Sequence, residues 1–140
     1  MEAVDMEEVH MEDETRRVVN DLYAAFLRGD PEGMLATFDD DVEFKFLGQV
    51  EARGIAEARR FFTAAAGQLT DLEFTIEHTV IDGSRAAVTW SEVARTQTGA
   101  EWVNHGVDVI EVCEGRVISL HENNDVRLVH EHFGRPEGRS

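Results

Sequence analysis

From residue 71 onward the apolar period of this chain is two, and that change limits the fold more than any other feature. Leu72, Phe74, Ile76 and Val80 alternate with Glu73, Thr75, Glu77 and Thr79, the pattern of a strand buried on one face. Asp82-Gly83 is a strong hairpin turn, and Arg85 to Thr96 reads as the next strand. The stretch around Gly99 turns again, Glu101 to Cys113 follows, and Glu114-Gly115 leads into Arg116 to Asn124. Four strands in hairpin succession make an antiparallel sheet, and such a sheet needs a partner layer for its apolar face.

The first half of the chain supplies that layer. Val18, Val19, Leu22, Tyr23, Phe26 and Leu27 recur at helical spacing and form one stripe. Gly29 stops this helix, and Asp30-Pro31 offers an N-cap and a first-turn proline to a short second helix carrying Met34, Leu35 and Phe38. Asp39-Asp40-Asp41 leads into a strand from Val42 to Leu47. After Gly54, a third helix turns Ile55, Ala58, Phe61, Phe62 and Ala65 one way. Asp125 to Phe133 reads as a short closing helix. The expectation is an α+β domain: a cone-shaped, curved antiparallel sheet wrapped around three helices and enclosing an apolar pocket. Such a concavity is where small ligands bind.

Three regions divide the chain. Residues 1–12 are acidic, carry Met1, Met6 and Met11 without apolar periodicity, and read as a disordered tail; 13–133 is the domain; 134–140 reads as a second disordered tail. At 140 residues with 42% hydrophobic content, one core forms without disulfide staples. The chain carries 29 acidic against 13 basic residues, a net charge of −16. That surface repels phosphate backbones and anionic lipids, so neither nucleic acid nor membrane is an expected partner. No run is long enough to span a bilayer and no signal-peptide core is present, so a cytoplasmic location is expected. Cys113 is the single cysteine, which excludes an internal disulfide; on its strand face it is expected to pack as a small apolar side chain.

Three carboxylates stand on strands or at their ends. Counting by two, Asp108 shares a face with Trp102, Asn104, Gly106, Ile110 and Val112, while Val103, His105, Val107, Val109, Glu111 and Cys113 occupy the other. Both faces are mixed, so Asp108 is either a desolvated acid with a raised pKa or a solvated residue. Asp125 is either a general base at the pocket mouth or an N-cap for the last helix, the commoner use of aspartate there. Glu92 shares a face with Trp90 and Val88, and a strand glutamate is most often solvated. No spacing matches a zinc or iron motif, and no phosphate loop or nucleophile elbow is present, so neither metal nor cofactor is expected.

The order of elements, with Gly29-Asp30-Pro31-Glu32 between two helices, Asp39-Asp40-Asp41-Val42 before a strand and Arg53-Gly54 before the third helix, resembles the ketosteroid-isomerase and SnoaL-like group of the nuclear transport factor two superfamily. Val107-Asp-Val-Ile-Glu-Val-Cys-Glu-Gly-Arg-Val-Ile followed by Asn123-Asn124-Asp125 is similar to that group's paired final strands. The resemblance places Asp108 where ketosteroid isomerases keep a protonated aspartate as an oxyanion donor. It places Asp125 where SnoaL-like cyclases and limonene-epoxide-hydrolase-like enzymes carry a working aspartate. Three departures stand beside these matches. The isomerase's base corresponds to Phe46, and its tyrosine to Leu22, with Tyr23 one residue away. The epoxide hydrolases' Arg-x-Asp pair corresponds to Trp90-x-Glu92.

The resemblance therefore implies a small-molecule isomerase, cyclase, dehydratase or hydrolase acting on a hydrophobic, carbonyl-bearing or polyketide-like substrate. Asp125, Asp108 and Glu92 are its candidate catalytic residues. Tyr23, Phe46, Phe62, Trp90, Trp102, Asn104, His121 and Asn124 are the candidates for binding and positioning. The alternative is a non-catalytic binding or dimerisation module of the same fold, and family members commonly pair through the sheet face, which implies a homodimer.

Overall fold

The computed structural model describes residues 6–47 and 50–134. The elements, in chain order, are α1 (Met6–Leu27), α2 (Pro31–Leu35), β1 (Phe38–Phe46), β2 (Val50–Arg53), α3 (Ile55–Ala65), β3 (Leu69–Asp82), β4 (Arg85–Thr96), β5 (Glu101–Cys113), β6 (Arg116–Asn123) and α4 (Val126–Phe133). The strands form one curved, unclosed six-stranded sheet in the order β2-β1-β6-β5-β4-β3. All neighbours are antiparallel except β1 and β6, which run parallel. Helices α1 to α3 lie against the concave face, so the architecture is the cone expected from the hairpin succession, with α4 as a fourth helix.

Local chemistry explains most boundaries. Asp30 caps α2, its carboxylate accepting from the Gly33 N–H at 2.9 Å, with Pro31 in the first turn. Gly29 takes a φ of +70°, which lets the chain reverse between α1 and α2. Phe38 departs from the helical reading. Its spacing from Met34 and Leu35 fits a helix, yet it opens β1 opposite Val117, where the Val117 N–H donates to the Thr37 carbonyl at 2.8 Å. Pairing with a distant strand overrides a local apolar period that five residues of helix satisfy only weakly.

Two further differences follow from tertiary contacts. Helix α1 begins at Met6, inside the stretch read as tail. Thr15 is buried there, its hydroxyl shared between the carbonyls of Met11 and Gly83, which ties the first turns of α1 to the β3–β4 hairpin. Cys113 is exposed rather than packed, because it ends β5 on the outer face of the sheet, opposite Arg116. Residues 1–5 and 135–140, which hold part of the first expected tail and nearly all of the second, lie outside the described residues.

The core sits between α1, α2, α3 and the narrow end of the cone. Val19, Leu22, Leu35, Phe38, Val42, Phe44, Val88, Ile110, Val117 and Leu120 are all essentially buried within it. The ring of Phe44 packs 4.9 Å from that of Phe61 and 5.2 Å from that of Phe62, locking α3 to β1. Replacing the fully buried Phe44 by alanine is expected to cost about 3–5 kcal/mol, read as a lowered urea midpoint with an unchanged m-value.

Candidate active site

The inward face changes character along the cone. Towards its narrow end β4, β5 and β6 present Ala86, Val88, Ile110, Val112, Val117 and Leu120. Further along, the same three strands present Trp90, Glu92, Trp102, Asn104, Asp108 and Glu122. Asp108 is 5% exposed and Glu92 9%, so the face with Trp102 and Ile110 is the inner one, and the strand glutamate is buried rather than solvated.

Asp108 is the centre of this patch. The Tyr23 hydroxyl donates to its Oδ2 and the Trp90 indole N–H donates to its Oδ1 at 2.8 Å. Tyr23 comes from α1 and Trp90 from β4, so one carboxyl joins the helix layer to the sheet. Phe74 of β3 backs both rings, 6.2 Å from Tyr23 and 5.5 Å from Trp90. Gly106 makes the arrangement possible. A Cβ there would lie 2.7 Å from Trp90 Cζ2 and 2.1 Å from the Asn123 carbonyl oxygen, so only glycine lets the indole cross β5.

Glu122 stands directly across from Asp108 in the β5–β6 pairing, and beside Phe46 in the β1–β6 pairing. Among the described residues no side chain donates a hydrogen bond to its carboxyl, in contrast to the two donors on Asp108. Glu92 lies on the other side of the patch. Its Oε1 accepts from the Trp102 indole N–H at 3.0 Å, and the Asn104 amide also donates to it. Every lysine and arginine among the described residues is at least partly solvent-exposed, so no basic side chain is buried with these acids.

Proton affinities follow from that setting. Burial pushes the Asp108 carboxyl up to about 6, the hydrogen bonds from Tyr23 and Trp90 pull against this, and the charge of Glu92 adds to it. Glu122 is raised well above the ordinary carboxyl range by burial first and then by the charges of Asp108 and Glu92. Burial also raises Glu92, against the donors from Trp102 and Asn104. The Tyr23 phenol is held far above its usual value, by burial and then by the neighbouring Asp108 charge, and stays protonated.

The structure thus brings together Tyr23, Trp90, Glu92, Trp102, Asn104 and Asp108, with Phe46 half-buried beside Glu122. Other candidates lie elsewhere. Phe62 belongs to the core around Phe38 and Phe44. His121 faces the outer surface, its Nε2 3.0 Å from Glu43 Oε1. The Asn124 amide donates to the carbonyls of Leu47 and Glu122 and fastens the end of β6. Asp125 is exposed and caps α4, accepting from the Leu128 N–H at 3.1 Å.

Glu122 was missed in the sequence because of a bulge. Counting back from the hairpin, Cys113 pairs with Arg116 and Val112 with Val117, a register that would set His121 opposite Asp108. An irregularity between Glu111 and Val112 shifts the pairing by one, so His121 turns outward and Glu122 inward. No group of three or more His, Cys, Asp or Glu among the described residues is arranged to hold a metal ion, and no described helix is long and apolar enough to cross a membrane.

Residues 19–120 match the family model described as the SnoaL-like domain. The chain belongs to the SnoaL-like family. Solved structures with the same fold include a candidate SnoaL-like polyketide cyclase from Jannaschia sp., with a TM-score of 0.78 and 14% identity over 96% of this chain and 98% of its own. An LEH-like epoxide hydrolase from M. tuberculosis aligns with a TM-score of 0.71 and 19% identity, covering 86% of this chain and 90% of that one. An NTF2-like protein from Burkholderia xenovorans aligns with a TM-score of 0.71 and 25% identity, covering 86% and 96%. No curated protein matches the chain.

The buried acids make stability depend on pH. In the unfolded chain Asp108 titrates near 3.9, whereas in the fold it holds its proton up to about 6. Between those values the folded state binds more protons, so stability falls as pH rises through that window. Asp108→Asn is expected to flatten this part of the curve, checked by urea midpoints measured across the window.

Proposed function

We propose that this SnoaL-like protein is a small-molecule enzyme whose own carboxyls perform acid–base chemistry on a hydrophobic, carbonyl-bearing substrate of polyketide-like character. The observation that supports this most is the facing pair Asp108 and Glu122, two acids in contrasting surroundings on one inward patch. Two carboxyls whose environments differ can hold opposite roles. Asp108, with a donor on each oxygen, is the group that carries the charge at neutral pH and serves as base. Glu122, without such donors, keeps a proton and serves as the acid towards a developing enolate oxygen. Tyr23 holds Asp108 in place, and Glu92 with Asn104 forms the polar end of the wall. In this reading Asp108 takes the base's part expected of Asp125, Glu122 takes the protonated donor's part that the resemblance gave to Asp108, and Asp125 acts through its cap.

Kinship supports the substrate class only broadly, since a candidate polyketide cyclase and an epoxide hydrolase share the fold. Incubating the protein with a panel of hydrophobic cyclic ketones in heavy water, and following loss of the α-proton signals by NMR, tests the chemistry without a known substrate. The wild type is expected to accelerate exchange, and Asp108→Asn to lower that rate roughly 100- to 10,000-fold. The rate should be bell-shaped in pH, its acid limb near the Asp108 value of about 6, with Glu122→Gln removing the alkaline limb. Ketones that bind without exchanging protons would instead favour the binding module.

We also propose pairing of two copies through the sheet. The outer face sets the exposed Val93 opposite the exposed Val103, and further along it exposes Val80 and Val109 on either side of Ala87. Val103→Glu is expected to convert the dimer to monomer in light scattering, with the circular dichroism spectrum unchanged.

A further inference from the structure

Helix α4 rests on a cluster separate from the main core. Val129 is fully buried and Trp102 and Ala94 nearly so, with Phe46, Leu69 and Leu128 packed around them. Arg127, Glu131, His132 and Phe133 on the same helix are exposed. The rings of His132 and Phe133 nonetheless lie 5.1 and 5.4 Å from that of Trp102. At its root the Asp125 N–H donates to Asn104 Oδ1 at 3.3 Å, and the Asp125 carboxylate caps the first turn. Eight residues are too few to stay helical in water alone, so α4 depends on this seat.

The seat is also part of the acid patch. The ring of Trp102 packs against α4, and its indole N–H donates to Glu92 Oε1. Asn104 does the same at the root, receiving Asp125 on its oxygen and donating its amide to Glu92. The two residues that fasten α4 are therefore the two that donate to Glu92, while Trp90 and Tyr23 donate to Asp108 with no part in α4.

We propose that α4 is a lid that opens as a unit over the wide end of the cone, and that Trp102 is the positioning residue through which the closed lid holds Glu92 in the acid patch. Opening removes only the small satellite cluster and leaves the main core intact, which is the condition for a sub-global unfolding event. With the lid lifted, water and ligand reach Glu92 past an uncovered Trp102. The charged and polar groups around Glu92 are Asp108 from β5, Glu122 from β6 and the Asn104 amide, with His132 across Trp102 from α4. The inference concerns access, and does not depend on which reaction the carboxyls perform.

The two tryptophans form an internal comparison, because each indole N–H is bonded to a buried carboxylate. Hydrogen exchange followed by NMR across a series of low urea concentrations is expected to show the Trp102 indole and the α4 amides exchanging with one common, urea-independent opening. The Trp90 indole should exchange only through global unfolding, at least about 100-fold more slowly. Val129→Ala should speed exchange at Trp102 and α4 by roughly tenfold, following the loss of buried methyl groups, by more than it speeds Trp90. Trp102→Phe keeps a ring under α4 but removes the donor, so the Glu92 carboxyl should titrate at a higher pH than in the wild type while α4 amides stay protected. Exchange of both indoles through the same global opening overturns the lid, and an unmoved Glu92 titration overturns the positioning role. If Trp102→Phe does not fold, the wild-type comparison of the two indoles still decides whether the lid opens.

Discussion

The carboxyl of Asp108 draws a phenol from α1 and an indole from β4 onto a single buried point, and the wide half of the molecule is organised around it. A carboxyl in such a place is costly unless it is hydrogen-bonded or keeps its proton. Here both happen in part. Two donors favour the charged form, while burial and the neighbouring acids favour the neutral one. With no basic side chain among the described residues buried beside them, the acids are balanced by these hydrogen bonds, by one another's protons and by what binds there.

That arrangement explains the division of the inner face. The narrow end carries the stability, through Phe38, Phe44, Val88, Ile110, Val117 and Leu120. The wide end gives up apolar packing for Glu92, Asn104, Asp108 and Glu122, in positions where Val or Leu would make a larger core. Departures from simple patterning of this kind collect at functional sites. Gly106 is part of the same exchange, since it leaves out a side chain so that Trp90 can reach Asp108.

Much of the fold was legible in the chain itself. The hairpins at Asp82-Gly83 and Glu114-Gly115, the Asp30-Pro31 start of α2 and the stripe of α3 all depend on neighbours in sequence. Phe38 was not legible, because its strand exists only through pairing with Val117 across the domain. Within the site, Tyr23, Trp90, Trp102, Asn104 and Asp108 were nameable as candidates. The buried state of Glu92 was not, since alternation alone does not say which face of a strand is covered.

What the sequence determined by itself was the order of elements, the antiparallel hairpins and the set of residue types able to do acid–base chemistry, because each rests on short-range periodicity and turn preference. The tertiary structure decided which acids meet. A one-residue irregularity in the β5–β6 pairing turned His121 out and Glu122 in, and the start of α4 took Asp125 for its cap. Register is set by the sum of contacts along both strands, and one displaced residue exchanges the two faces of everything beyond it.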